Sequence, residues 1–151
     1  MIRTLSALFA FFVLLTTPAL AGDSDDVRVT IERHYAAIHT NDIDTVLSHH
    51  RKDFTMFYSG GTVLWESDWE DVSKRMGATV DFGTLNVRMS SFNVQVYGNT
   101  AVATFYLVGT HTDGEKTRNI TNRVSAVWVK TGGEWKEAHH HESPLRPSGH
   151  H

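Results

Sequence analysis

From Leu85 onward, three turn signals divide the chain into long runs rich in β-branched and aromatic residues: Gly98-Asn99, Asp113-Gly114 and Gly132-Gly133. Residues of this kind tolerate the backbone of tight reversals, so their spacing predicts a meander of long antiparallel strands. The run from Thr100 to Thr112 places Ala101, Ala103, Phe105 and Leu107 on one face, and Val102, Tyr106 and Val108 on the other. A sheet with one wet face should alternate apolar with polar. Two apolar faces imply helices on one side and a second subunit on the other, which predicts a homodimer through the sheet.

Helices precede the meander. Ser24 to Asp26 can cap a helix whose stripe is Val27, Ile31, Tyr35 and Ile38, ending near Thr40-Asn41. Asp42 can cap a second, short helix that buries Ile43, Val46 and Leu47. A strand is predicted over Phe54 to Tyr58, a turn at Ser59-Gly60-Gly61, and a partner strand from Thr62 to Trp65. Ser67-Asp68-Trp69-Glu70 has the spacing of a capping box, predicting a third helix that carries Trp69, Val72 and Met76 inward.

The N-terminus reads as an export signal: Arg3, an apolar run from Leu5 to Leu15, Pro18, and the small-residue triplet Ala19-Leu20-Ala21. This divides the chain into a signal peptide (1–21), one domain (22–143) and a flexible tail (144–151). The apolar run is short for a membrane span, so the mature protein is expected to be secreted or periplasmic, with no membrane partner. The absence of cysteine excludes disulfides, thiolate nucleophiles and Cys-type zinc sites. A formal net charge of −3 with intermixed signs leaves no basic stripe, so nucleic acid is not an expected partner. No sequence feature calls for a cofactor.

The chemistry concentrates in the predicted last strand, Trp135-Lys136-Glu137-Ala138-His139-His140-His141-Glu142-Ser143. Strict alternation puts Trp135, Glu137, His139, His141 and Ser143 on one face, and Lys136, Ala138, His140 and Glu142 on the other. Glu137, His139 and His141 would then offer one oxygen and two imidazole ligands to a zinc-like ion. The competing reading is a set of ordinary hydrogen-bonded polar residues. His34, His39, His49 and His50 read as helix-surface residues, and His111 as solvated beside a turn.

Taken in order, Val127-Trp128-Val129-Lys130, Gly133-x-Trp135 and His139-x-His141-x-Ser143 resemble the nuclear transport factor 2-like superfamily. Within it they are most similar to SnoaL-like proteins and to the association domain of calcium/calmodulin-dependent protein kinases. The resemblance implies an α+β, cone-shaped fold with N-terminal helices packed on a curved antiparallel sheet. It also implies a conical cavity for a small organic molecule. A three-residue hairpin over Thr131 to Gly133 would pair Lys130 with Glu134 and group Asn122, Val124, Ala126 and Trp128 with Lys136, Ala138, His140 and Glu142. A two-residue hairpin would shift the register by one and bring Arg123 inside with Glu142. In the kinase association domain the positions matching Ala126 and Glu142 are cavity-facing arginines, which favours the first grouping. This chain lacks both cations.

The ligand-lining residues expected on this basis are Tyr35, Tyr58, Trp65, Trp128, His140 and Glu142. Against the steroid isomerases of the superfamily, His34 falls at a tyrosine position and Tyr58 at the position of the carboxylate base, so that chemistry is not expected. The Asp-Arg-Asp set of the superfamily's epoxide hydrolases is not assembled either. The first functional expectation is a non-catalytic, self-associating binding domain. The alternative is a lyase, isomerase or hydrolase acting on a hydrophobic cyclic substrate with His140 and Glu142 as proton-transfer groups. A metal protein using His139 and His141 is the second alternative.

Overall fold

The computed structural model describes residues 21–59, 65–66 and 85–145. Helix α1 spans Ala21–His39, and Val27, Ile31, Tyr35 and Ile38 all turn inward as their spacing requires. It stops at Asn41, whose φ of 55° is a left-handed cap that asparagine adopts more readily than most residues. Asp42 then accepts a hydrogen bond from the Thr45 amide at 3.1 Å and opens α2, Ile43–Ser48, whose Val46 is buried. Loss of a cap of this kind costs about 1 kcal/mol.

Six strands follow: β1 His50–Phe57, β2 Trp65–Glu66, β3 Leu85–Tyr97, β4 Thr100–Asp113, β5 Lys116–Thr131 and β6 Glu134–Pro144. They form one sheet in the order β2-β1-β6-β5-β4-β3. The β3-β4-β5-β6 meander is antiparallel as expected, whereas β1 runs parallel to β6, so the sheet is mixed. β1 begins four residues before the expected Phe54, because α2 feeds directly into the sheet and the Glu137 amide donates to the His49 carbonyl at 2.7 Å. The expected helix from Ser67 to Met76 and the residues Thr62 to Leu64 lie outside the described residues, as do residues 1–20 and 146–151. Ala21, expected as the last residue of the signal, opens α1, and β6 runs one residue into the expected tail.

Two local features set which side chains face inward. Gly132 and Gly133 have φ of 61° and 88°, and Lys130 pairs with Trp135, so the hairpin has two residues, not three. Consecutive left-handed residues suit the right-handed twist of a hairpin and are cheap only for glycine and a few short polar residues. Taken alone, that turn would invert the expected faces. A bulge cancels the inversion: Trp128 pairs with Glu137 but Val127 with His139, leaving Ala138 as the extra residue. Trp135 and Glu137 thus replace Lys136 and Ala138 on the inner face, while His140 and Glu142 remain there opposite Ala126 and Val124.

The core lies between α1 and this inner face. Ala101, Ala103, Phe105 and Leu107 from β4 meet Val124, Ala126 and Trp128 from β5. Tyr35 stands edge-on to Phe105, with ring centroids 5.6 Å apart. Val27, Ile31 and Trp128 are the largest fully buried side chains, and burying residues of this size stabilises by about 1.5–3 kcal/mol each. On the other face of β4, Tyr106 is exposed and Val102 and Val108 are only partly covered. A register shift in β3 between Ser90 and Asn93, with Ser91 at a φ of 53°, bends the outer part of the sheet.

Candidate functional site

Where α1 crosses β6, the interior turns from apolar to ionisable. Glu137 is 2% exposed and each of its oxygens is engaged. Oε1 is 2.8 Å from His140 Nδ1, and Oε2 is 3.1 Å from His50 Nε2. The first contact spans three residues and crosses the bulge, which brings Glu137 and His140 to one face. His140 is itself buried, and its Nε2 lies 3.6 Å from Glu142 Oε2. Asn122 on β5 donates a short hydrogen bond from Nδ2 to Glu142 Oε1, which fixes that carboxylate. His34, 6% exposed, comes down from α1 with its ring centroid 5.1 Å from that of His50 and 6.1 Å from that of Trp128. The Phe54 ring centroid lies 4.2 Å from that of His50, the two rings tilted by 42°.

The environment divides the protonation states. Burial alone would raise the Glu137 carboxyl, but the charge and hydrogen bond of His140, with His50 behind it, more than reverse this and hold it well below the usual carboxylate range. Burial alone would lower His140; the Glu137 carboxylate outweighs it, with Glu142 adding to the effect, and His140 is pushed up to about 9. His34, also buried, is lowered to about 3, mainly by desolvation, which the Glu137 charge only partly opposes. The Tyr35 hydroxyl is driven well above 10 by burial and by the two carboxylates. Near neutral pH the site therefore holds a protonated His140 beside ionised Glu137, together with a neutral His34 and a neutral Tyr35 hydroxyl.

With both ring nitrogens protonated, His140 gives one N–H to Glu137 and presents the other, at Nε2, beside Glu142. Among the described residues that Nε2 has no hydrogen-bond partner within 3.5 Å, nor has His34 Nδ1. A carboxylate that orients an imidazole from behind while the far nitrogen is left to work is an arrangement suited to general acid–base chemistry or to donating a hydrogen bond to a bound oxygen. Glu142, 11% exposed at its side chain, supplies the neighbouring acceptor.

The expected residues are thus distributed unequally. Tyr35, Trp128, His140 and Glu142 are all on the inner side. Tyr58 follows the end of β1 and is 48% exposed, outside the buried group. Trp65 pairs with Met56 through the backbone, and its side chain lies outside what the structure describes. The expected metal trio is split by the bulge. Glu137 turns in, whereas His139 and His141 lie opposite Val127 and Ser125 on the outer face, where His139 Nδ1 meets Thr55 Oγ1 at 2.7 Å.

His34 and His50, read from sequence as helix-surface residues, are instead in the interior. His34 stands three residues after Ile31 and four before Ile38, so it belongs to the buried stripe by spacing. His50 starts β1. Two surface grooves bordered by described residues lie elsewhere, at the hairpin end of β6: one of about 430 Å³ beside Arg51 and Lys136, and one of about 390 Å³ beside Arg33 and Glu134.

No curated protein matches the chain in sequence. Among solved structures, an NTF2-like protein with a cystatin-like fold from Novosphingobium aromaticivorans superposes with a TM-score of 0.69 at 14% identity, covering 86% of each chain. A proposed dehydratase of the NTF2-like family from Streptomyces avermitilis gives 0.71 at 18% identity, over 84% of this chain and 99% of the other. The CaMKII hub of S. rosetta gives 0.70 at 21% identity, over 85% and 100%. These likenesses establish the NTF2-like cone fold. The family model for the SnoaL-like domain matches residues 27–147, the greater part of the sequence and all of the site just described, and the chain belongs to that family.

Proposed function

We propose that this chain is a small-molecule-binding domain whose ligand meets His140 Nε2–H and the Glu142 carboxylate as a donor–acceptor pair, with Tyr35 and Trp128 as the aromatic surround. The supporting observation is the posture of His140: buried, held at Nδ1 by Glu137, with Nε2 directed at Glu142 and no hydrogen bond closing it off. A ligand with a carbonyl or hydroxyl on an otherwise apolar ring matches both the pair and its apolar surround. Native mass spectrometry of the mature protein from its own host tests this directly. A stoichiometric organic adduct that is lost in His140→Gln and in Glu142→Gln is the expected result. An adduct indifferent to both substitutions, or none in either the host-derived protein or a screen of cyclic ketones and alcohols, would overturn it.

A catalytic reading is favoured by the same carboxylate–imidazole pair. Protonated His140 would act as general acid and Glu142 as base on a hydrophobic cyclic substrate, in a lyase, isomerase or hydrolase reaction. The similarity to a proposed dehydratase is in line with this. Turnover of any ligand identified above, abolished in His140→Gln with folding intact, would separate this from simple binding.

The proposal extends to assembly and location. Phe57, 41% exposed on β1, packs beside His139 and His141, and Tyr106 lies on the same outer side, so this face suits self-association. Sedimentation of the mature chain as a monomer at micromolar concentration would remove that part. Export is supported by the run from Leu5 to Ala21. It predicts that the mature protein, sequenced from outside the cytoplasm, starts after Ala21. Among the described residues no helix is long and apolar enough to cross a membrane.

A further inference from the structure

The interior holds a second constellation, distinct in composition from the His140–Glu142 pair. His34 from α1, His50 from the start of β1 and Glu137 from β6 each offer a ligand atom, and these atoms all lie within 4.8 Å of one another. The geometry points to a binding site for one divalent first-row transition ion of the zinc class, held by two imidazoles and a carboxylate. Three elements far apart in sequence converge there. Two nitrogens and one oxygen are the donor set of zinc sites that keep an open fourth position for water or substrate.

The fit is close but not finished. A tetrahedral ion at about 2.1 Å from its ligands sets their atoms about 3.4 Å apart. The edge from His50 Nε2 to Glu137 Oε2 is already 3.1 Å. The edges to His34 are within 4.8 Å, so closing the set around an ion needs at most a small inward shift of that side chain. Such a shift breaks no hydrogen bond at His34 Nδ1, which makes none among the described residues. Glu137 is already oriented: Oε1 is held by His140 Nδ1, the kind of outer support that fixes ligating carboxylates, and an ion would take the place of the direct contact between Oε2 and His50 Nε2. The inference goes beyond the binding reading above, because it assigns His34 and His50, which that reading does not use.

The test uses the full mature chain, stripped with chelator, loaded with Zn²⁺ and desalted. One retained equivalent per chain is expected, with Co²⁺ giving the intense visible bands of a four-coordinate site. The equivalent should be lost in Glu137→Gln and His34→Phe, and kept in a double His139→Ala, His141→Ala variant. Retention that survives Glu137→Gln but disappears with the outer histidines, or with removal of His150 and His151, overturns the assignment, as does failure to retain any ion. Because Glu137→Gln could prevent folding, a crystal of the unsubstituted protein soaked in Zn²⁺ decides independently. An anomalous peak bonded to His34, His50 and Glu137 supports the site, and a peak elsewhere, or none, refutes it.

Discussion

His139, His140 and His141 are adjacent and chemically identical, yet the fold gives them opposite circumstances. His140 is shut between two carboxylates and raised to about 9. His139 stands partly covered on the outer face against Thr55, lowered chiefly by desolvation, with two neighbouring imidazoles adding to the effect. The difference comes from strand alternation and from what lies behind each face, not from the residues themselves. A run of histidines is therefore not one site, and its members should fail differently when changed.

The largest effect is expected from removing the group that defines the inner environment. Glu137→Ala removes the carboxylate that His140 and His50 both contact, and removal of one partner from a buried ion pair costs about 3–5 kcal/mol. Urea denaturation should show this; a loss below about 1 kcal/mol would mean that the pair is not buried as described.

Next comes pH. His140 is raised, so its contribution is whole below about 6.5 and is lost as pH climbs through about 9. Glu137 is depressed, so its contribution is whole above about 4.5 and declines on acidification below that. His34 is depressed to about 3, so its contribution is whole above about 6.5 and falls away as pH drops toward 3. Metal-free protein should accordingly be most stable near pH 6.5, with an alkaline limb on the order of 3 kcal/mol. His140→Gln should erase that limb, and His139→Gln should leave it in place. Thermal melts across pH compare the two.

Smaller effects belong to the outer face. Thr55→Val removes the hydrogen bond to His139 Nδ1 and should cost about 0.5–1.5 kcal/mol, with the inner pair undisturbed. His141→Ala, at an exposed position, should change monomer stability by less than about 0.5 kcal/mol. If His141→Ala matched Glu137→Ala in chemical denaturation, the contrast between the faces would collapse.

The fold was legible in the sequence because its signals are local. Turn residues at Gly98, Gly114 and Gly132, the stripe from Val27 to Ile38, and Asp42 as a cap each act over a few residues. The inner grouping of Asn122, Val124, Ala126 and Trp128 with His140 and Glu142 was not decided by the sequence, which allowed a hairpin of three residues or of two, and the observed grouping arises by a route that neither length alone provides. The hairpin is one residue shorter than expected, and the bulge at Ala138 restores the parity. Nothing in an alanine between a glutamate and a histidine marks a bulge, because the extra residue is selected by the register of both strands and the packing on either side. For the same reason Glu137 was assigned to the wrong company. His50 was obscured by a strand that begins immediately after a short helix, and His34 by treating a polar residue on an apolar stripe as surface.

β6 supplies Glu137, His140 and Glu142, and although it comes last among the described strands it lies in the middle of the sheet, between β5 and β1. Synthesis from the N-terminus makes every other described strand available before it. Until β6 inserts, β1 and β2 have no strand pairing with the meander among the described residues, though Arg51 donates a side-chain hydrogen bond to Thr131, and the charged interior has neither its acid nor its imidazolium. Ribosome-bound chains shorter than about 140 residues should therefore remain open and sensitive to protease, and the pairing of sequence-distant segments makes this closure a slow step.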